Sequence, residues 1–184
     1  VPVRFGFYVS NRATRLTRAL RCLRAAPELR GLLSDFAFVF RDSAADDELP
    51  ALCRRCGIGI FQAGPPPPAD GDRSAAVSRE LLSAMERHRA DYLFVFGSRL
   101  LKGELLDRFR NRIVNFHPSL LPAFPGLKSV DQAASYGSIV TGNTAHFIDE
   151  GTDTGPLIMQ SLVTLQGETD YEAVLDRQIP MLIQ

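Results

Sequence analysis

The stretch YLFVFGSRLLKGELLDRFRNRIVNFHPSLLP, residues 92–122, decides the fold. It contains two short, nearly continuous apolar runs, Tyr92–Phe96 and Ile113–Phe116. Runs of this kind are typical of strands that are buried on both faces of a parallel sheet. Between them, Lys102–Arg110 has the spacing of an amphipathic helix, with its charges on one side. The stretch therefore predicts a strand, a helix and a second strand in succession.

The same alternation continues towards the N-terminus. Further strands are predicted at Val3–Val9, Phe36–Arg41 and Ile58–Gln62, and helices at Thr14–Ala26, Ala45–Cys56 and Ser74–Arg87. Strands that alternate with helices pack as a sheet covered on both faces. We therefore expect an α/β fold, a doubly wound, mostly parallel sheet flanked by helices.

The pattern changes after Pro125. A helix over Val130–Tyr136 precedes two longer β segments, Val140–Ile148 and Pro156–Leu165, which we expect to add strands in mixed orientation. A helical tail then starts at Thr169 and runs without a capping signal, as expected where a C-terminal extension follows.

Composition narrows the class of protein. The chain has 184 residues, 45% apolar and 23% charged, which fits one globular domain over residues 1–184. Its 21 basic side chains balance 21 acidic ones, so no net field attracts nucleic acid or an anionic membrane. The apolar runs are shorter than the roughly 20 residues of a membrane span. Three cysteines in an odd count favour a reducing, cytoplasmic compartment, and we expect neither nucleic acid nor membrane as a partner.

Cys53 and Cys56 form a C-x-x-C pair. The sequence has no second cysteine pair or nearby histidine that would complete a tetrahedral zinc site with them. We therefore expect ordinary packing at a helix end before Gly57, rather than a redox or metal role, and no metal in the protein.

Ligands of open α/β sheets bind beyond the carboxyl ends of the strands, so polar residues at those ends are candidates for a site. After the first strand, Ser10–Arg15 offers backbone N–H groups and a helix N-terminus to an anion. The alternative is that Ser10 or Asn11 only caps the helix. The segment lacks the G-x-G-x-x-G pattern of a dinucleotide site.

A second candidate segment follows the strand at Ile113. Alternation places Asn115 and His117 on one face of the strand end, and Pro118 then stops the strand. An amide beside an imidazole suits the polarisation of a carbonyl, because the amide stabilises the oxyanion and the histidine exchanges a proton. A lone histidine before proline can equally have a structural role.

The third candidate segment is the acidic, glycine-punctuated turn Asp149–Pro156. Such a composition is common in plain turns. A carboxylate of this turn that met His117 would orient the imidazole and favour its protonated form. A serine hydrolase is excluded, because G-x-S-x-G is absent and Ser119 is too close in sequence to His117 to complete a triad.

The second and third segments together resemble a known signature. N-x-H-P-S-L-L-P stands at Asn115–Pro122, and H-F-x-D-E-G-x-D-T-G-P-x-I stands at His146–Ile158. Both resemble the glycinamide ribonucleotide formyltransferase superfamily, and the likeness continues through Phe96–Leu101, Pro122–Gly126 and Val140–Thr144. The resemblance implies the Rossmann-like formyltransferase fold and an enzyme that takes a formyl group from 10-formyltetrahydrofolate, its only cofactor.

The resemblance also implies roles for individual residues. The catalytic trio would be Asn115, His117 and Asp153, with His146 supporting the turn. The implied contacts of the folate are Arg99, Leu100, Leu101, Phe147, Ile148, Asp149, Glu150 and Gly151. The implied contacts of the acceptor are Asn11, Arg12, Ala13, Thr14, Arg15, Phe116 and Pro118.

The acceptor is the least determined part of this prediction. The superfamily's G-N-G-S-N turn for a ribose phosphate is replaced by Asn11–Arg15, where arginine can still hold a phosphate but Ala13 hinders close backbone approach. We expect a small, phosphorylated primary amine similar to glycinamide ribonucleotide, and a place in purine biosynthesis. The alternatives are N-formylation of a nucleotide-linked amino sugar and a folate-binding relative without turnover. The sequence leaves the oligomeric state open, a homodimer included.

Overall fold

The computed structural model describes residues 2–10, 13–43, 45, 47–65, 71–164, 174 and 176–183. The chain divides into two compact units, Val1–Ile113 and Val114–Gln184. The predicted start of the helical tail at Thr169 lies outside the described residues, and the helix described in that region is Gln178–Ile183. The single domain expected over the whole chain stays a prediction.

The first unit alternates strands with helices. Its elements are β1 (Phe5–Val9), α1 (Thr14–Ala25), a 3₁₀ helix (Pro27–Asp35), β2 (Phe36–Arg41), α2 (Leu49–Cys56), β3 (Ile60–Gln62), α3 (Arg73–His88), β4 (Tyr92–Phe96) and α4 (Glu104–Arg108). The strands run parallel in the order β3-β2-β1-β4. Parallel strands are covered on both faces, which is why the central strand β1 contributes the fully buried Phe7, Tyr8 and Val9.

The second unit continues from β5 (Ile113–His117) with α5 (Ser129–Tyr136), β6 (Val140–Phe147), β7 (Leu157–Thr164) and α6 (Gln178–Ile183). Here β5 pairs with β6, and β6 with β7, in antiparallel orientation. The mixed orientation expected after Pro125 is confirmed. So is the predicted class, because the seven strands are mostly parallel and flanked by helices.

Two predicted helices begin later than expected. The predicted helix at Ala45–Cys56 starts at Leu49, because the Asp47 carboxylate accepts a hydrogen bond from the Leu49 N–H at 3.2 Å and pairs with Arg41 at 2.8 Å. The predicted helix at Lys102–Arg110 is shortened to Glu104–Arg108, because Gly103 before it has a left-handed backbone with φ 71°. The 3₁₀ helix was not predicted.

No helix in the described part of the chain is both long and apolar enough to span a bilayer.

Candidate active site

The register of two antiparallel strands builds the candidate site in the second unit. Asn115 of β5 lies opposite His146 of β6, and His117 lies opposite Thr144. Directly opposed side chains on one face have their Cβ atoms about 5 Å apart. The pairing therefore brings two histidines and an amide onto one small patch of the sheet.

Asp153 reaches this patch from the turn after β6. Its backbone is left-handed, with φ 55°, a conformation that aspartate tolerates better than most residues. Gly155 allows the turn to close, because a Cβ there would lie 1.8 Å from the carbonyl oxygen of Phe147. The glycine in D-T-G-P is thus required by close packing of the backbone.

Both carboxylate oxygens of Asp153 have partners. Oδ1 lies 3.4 Å from His146 Nε2 and 3.4 Å from Asn115 Nδ2. Oδ2 accepts the Gly126 N–H at 2.7 Å and lies 3.3 Å from His117 Nδ1. The expected meeting of a carboxylate from this turn with His117 is therefore present in the structure.

His117 is placed between two oxygen atoms. Its Nε2 lies 3.0 Å from the carbonyl oxygen of Phe124, and its Nδ1 faces the carboxylate of Asp153. A carbonyl oxygen can only accept a hydrogen bond, so Nε2 is the donor to Phe124. To donate to the Asp153 carboxylate as well, the imidazole must carry a proton on both nitrogens, as only its cation does. Its side chain is 6% exposed, so these contacts act in a poorly screened environment.

The surroundings also bias the charge of Asp153. Burial acts to raise its pKa, but the hydrogen bond with His146, the Gly126 N–H and the charge of His117 outweigh burial, so the pKa lies below its ordinary value. Asp153 is therefore an anion over the physiological range, and can orient both histidines.

His146 contacts the Asn115 amide and Asp153 as well as the backbone of its own strand. Its Nδ1 donates to the Phe147 carbonyl at 2.9 Å, and its Nε2 lies 3.2 Å from Asn115 Nδ2 and 3.4 Å from Asp153 Oδ1. The sequence shows that Thr144 and His146 share a face of their strand, but not that this face is opposite Asn115. The antiparallel register supplies that information.

Thr144, which the sequence analysis did not single out, fixes the loop after β5. Its hydroxyl donates to the Ser119 carbonyl at 2.7 Å and accepts from the Leu121 N–H at 3.0 Å. The side chain of Gln160 donates to the same hydroxyl at 2.9 Å. The loop thereby has a defined path towards Phe124, whose carbonyl contacts His117.

The residues expected to contact folate lie in both units. In the first unit, Leu100 is exposed, Leu101 is buried, and Arg99 pairs with Asp42 at 2.8 Å. In the second unit, Phe147 ends β6 and Ile148, Asp149, Glu150 and Gly151 follow it. Within that turn, the Asp149 carboxylate accepts from the Gly151 N–H at 3.0 Å and from the Thr154 hydroxyl at 2.8 Å.

The expected acceptor segment starts α1 in an unusual way. The N-cap residue is Ala13, with a left-handed φ of 50° and no side-chain cap, and Thr14 is the first helical residue. The Ser10 hydroxyl accepts from the Ser98 N–H at 3.2 Å instead, so the alternative in which Ser10 caps the helix is wrong. Asn11 and Arg12 lie outside the described residues.

The other residues expected to contact the acceptor substrate have different surroundings. Arg15 donates to the Phe96 carbonyl at 3.2 Å and lies over the Phe96 ring at 5.1 Å from its centroid. In the second unit, Phe116 is buried on β5 and the Pro118 carbonyl accepts from the Ser129 hydroxyl at 3.1 Å.

The C-x-x-C pair lies at the C-terminal end of α2. Burial raises the pKa of the Cys53 thiol to about 12, and burial also raises the pKa of Cys56. Reactive C-x-x-C thiols have lowered pKa values. This environment therefore favours packing over redox chemistry.

Comparisons with known proteins agree with this fold and site. Residues 47–179 match the formyl transferase family, to which the chain belongs. Phosphoribosylglycinamide formyltransferase of Bacillus subtilis (strain 168) is 36% identical over 111 residues, 60% of this chain and 57% of the relative. The enzyme of the same name from Mycobacterium tuberculosis (strain CDC 1551 / Oshkosh) is 42% identical over 98 residues, 53% of this chain and 46% of the relative. The chain thus spans about half the length of the curated relatives it matches.

A solved structure covers more of the chain. The crystal structure of glycinamide ribonucleotide transformylase 1 from Symbiobacterium toebii superposes with a TM-score of 0.77 at 34% identity, over 98% of this chain and 82% of that one. The fold class predicted from the sequence is therefore that of the formyltransferases.

Proposed function

We propose that this chain transfers a formyl group from 10-formyltetrahydrofolate to the primary amine of a small, phosphorylated acceptor similar to glycinamide ribonucleotide. The observation that carries the proposal is the buried cluster of Asn115, His117, His146 and Asp153, in which each member contacts Asp153. Membership of the formyl transferase family supports it, as do relatives named for formylation of phosphoribosylglycinamide.

In the proposed reaction, the acceptor amine attacks the formyl carbon. Asn115 and cationic His117 stabilise the oxyanion that develops on the formyl oxygen. Asp153 holds the histidine and relays the proton of the amine, through water, to N10 of the folate. The bond between the formyl carbon and N10 then breaks, and the products are the N-formylated acceptor and tetrahydrofolate.

The network offers one contact that the formyl oxygen can replace. The hydrogen bond from Asn115 Nδ2 to Asp153 Oδ1, at 3.4 Å, is long for its type and therefore weak. A formyl oxygen that accepted from this amide would leave Asp153 its contacts with Gly126 and His117. The hydrogen bonds that orient His117 would therefore remain in place when the substrate binds.

We assign the backbone of Phe147–Gly151, in the second unit, to contact with the pterin of the donor. In the first unit, Leu100 is 60% exposed and therefore accessible to a ligand. The turn containing Asp149 is held by its own side-chain hydrogen bonds, so its backbone groups have fixed directions.

The conformation of Ala13 favours the phosphorylated acceptor over an amino sugar. Its backbone is left-handed, a conformation that the glycine of the glycinamide ribonucleotide enzymes adopts without strain. With Asn11, Arg12, Thr14 and Arg15, this turn would bind the phosphate through N–H groups at the start of α1. Phe116 and Pro118 would position the amine next to His117.

The test is consumption of 10-formyltetrahydrofolate by the purified chain, with glycinamide ribonucleotide compared with a panel of nucleotide-linked amino sugars. We expect turnover with glycinamide ribonucleotide and none in the His117→Ala control. Turnover with amino sugars alone would replace the proposed acceptor by the alternative one. If the chain bound the folate at equilibrium but consumed it under no condition, the proposed formyl transfer would be refuted. The chain would then be a folate-binding protein without turnover.

A further inference from the structure

A second buried polar cluster lies in the first unit, where β1, β2 and β4 end. Tyr8 belongs to β1, Asp42 follows β2, and Arg99 comes three residues after β4. The Tyr8 hydroxyl donates to Asp42 Oδ2 at 2.8 Å, and Arg99 Nε donates to the same oxygen at 2.8 Å. The side chain of Asp42 is 2% exposed and that of Arg99 is 33% exposed. The cluster therefore joins a buried anion to a partly accessible guanidinium.

The hydrogen bonding of Asp42 is incomplete. Its second oxygen, Oδ1, is buried and has no hydrogen-bond partner among the described residues. An unpaired buried acceptor destabilises a fold, and more so when it is charged. Buried ion pairs are in any case weak contributors to net stability. The orientation of Arg99 explains this arrangement better than stability does.

Glycine at position 97 makes the contact with Tyr8 possible. A Cβ at Gly97 would lie 2.7 Å from Tyr8 Cε1, closer than carbon atoms approach each other. The ring of Tyr8 can therefore pass β4 and reach Asp42. Burial raises the pKa of Tyr8, and its hydrogen bond to Asp42 raises it further, so the phenol stays a neutral donor.

We propose that Tyr8 and Asp42 are positioning residues that hold Arg99 as a receptor for an oxyanion of a bound substrate. A guanidinium fixed through Nε presents its terminal nitrogens as a planar fork, which matches a carboxylate or a phosphate. The carboxyl ends of strands are where ligands of open α/β sheets bind. The inference rests on the proposed function, which offers two sources of that oxyanion: the glutamate carboxylates of the folate and the phosphate of the acceptor.

The experiment compares Asp42→Asn and Tyr8→Phe with the unchanged chain on four compounds. These are 10-formyltetrahydrofolate, its glutamate diamide, glycinamide ribonucleotide and glycinamide riboside. Loss of a charge-assisted hydrogen bond predicts a rise in KM of about 10-fold for Asp42→Asn and about 3-fold for Tyr8→Phe, with kcat within about 2-fold. The rise should occur with one charged compound and vanish with its uncharged analogue, which identifies the source of the oxyanion.

Two controls separate positioning from structural damage. Asp47→Asn removes another carboxylate of the same unit, a partly buried one that pairs with Arg41, and should leave every KM unchanged. Arg99→Ala should raise the same KM as Asp42→Asn, and the double variant should be no worse than Arg99→Ala alone. Non-additivity of this kind is expected only if Asp42 acts through Arg99.

A KM that rises equally for charged and uncharged compounds would overturn the inference, as would additive losses or no change in any KM. If no acceptor is formylated, the proposed function fails by itself. The inference is then judged by the dissociation constants of tetrahydrofolate, its diamide and inorganic phosphate, measured by titration calorimetry on the same variants. A loss of affinity in Asp42→Asn for a charged probe alone would still support it, and equal affinities would refute it.

Discussion

Two carboxylates, the buried Asp42 of the first unit and the partly buried Asp153 of the second, show how differently the same side chain can be used. Asp153 engages both oxygens, with partners that include two histidines. Asp42 engages only Oδ2, with a phenol and a guanidinium, while its Oδ1 is unpaired. Histidine can gain or lose a proton near neutral pH, whereas a guanidinium and a buried phenol cannot. The Asp153 cluster is therefore suited to proton transfer, and the Asp42 cluster to holding a charge in place.

The largest expected effect breaks the first of these clusters. His117→Ala should lower kcat by about 10³-fold, because general acid–base groups contribute 10²–10⁴-fold and this variant also removes the cation that faces the oxyanion. Steady-state formyl transfer at saturating substrate checks this value. The contrast with Asp42→Asn, which should change KM alone, is the sharpest test of the comparison.

Asp153→Asn belongs to the same test, because the amide removes the negative charge that faces His117 Nδ1. Most of the transfer rate should be lost, and turnover near that of the unchanged chain would contradict the role given to Asp153. Thermal unfolding of both variants identifies a loss that is merely due to misfolding.

The next effect concerns His146, whose contribution should be to stability and folate affinity more than to rate. Its removal takes the imidazole donor from the Phe147 carbonyl and leaves the Asn115 amide with Asp153 as its remaining partner in the cluster. We expect His146→Ala to lower the free energy of unfolding by about 2 kcal/mol, as measured by urea denaturation. If kcat fell as far as in His117→Ala while stability was unchanged, His146 would have to be regarded as catalytic.

A smaller effect is expected from pH. The folded-state pKa of Asp153 lies below its ordinary value of 3.8, so its ionised form stabilises the fold above that value. This stabilisation is lost as the pH falls through the lowered pKa. Asp153→Asn should therefore be less stable than the unchanged chain at pH 7, and the difference should shrink in acid. A difference in urea midpoint that stayed constant down to about pH 3 would contradict this linkage.

The smallest effect concerns the turn before α1. Ala13→Gly should raise the free energy of unfolding by roughly 0.5–1 kcal/mol, because glycine adopts the left-handed backbone of this position without strain. As a matched control, Ala84→Gly inside α3 should lower it by about 1 kcal/mol. A destabilising Ala13→Gly would mean that the alanine methyl group contributes more packing than its conformation costs.

Particular elements show how far the sequence predicts this structure. The runs that became β1, β2 and β4 are nearly all apolar, so their burial in a parallel sheet could be predicted without any contact being known. The start of α2 could not, because it depends on the pairing of Asp47 with Arg41, which precedes it by six residues. Local propensity carries no information about such a pair.

In the candidate active site, too, some features could be predicted from the sequence and others depend on contacts between distant segments. Spacing along one strand put Asn115 and His117 on one face, and the composition of one turn offered a carboxylate to His117, whereas the choice of Asp153 came from the resemblance to the formyltransferases. Only the tertiary structure decided that His146 lies opposite Asn115 and that Asp42 meets Tyr8 and Arg99. Register and the meeting of strand ends depend on packing between segments far apart in sequence, and residue identity does not encode them locally.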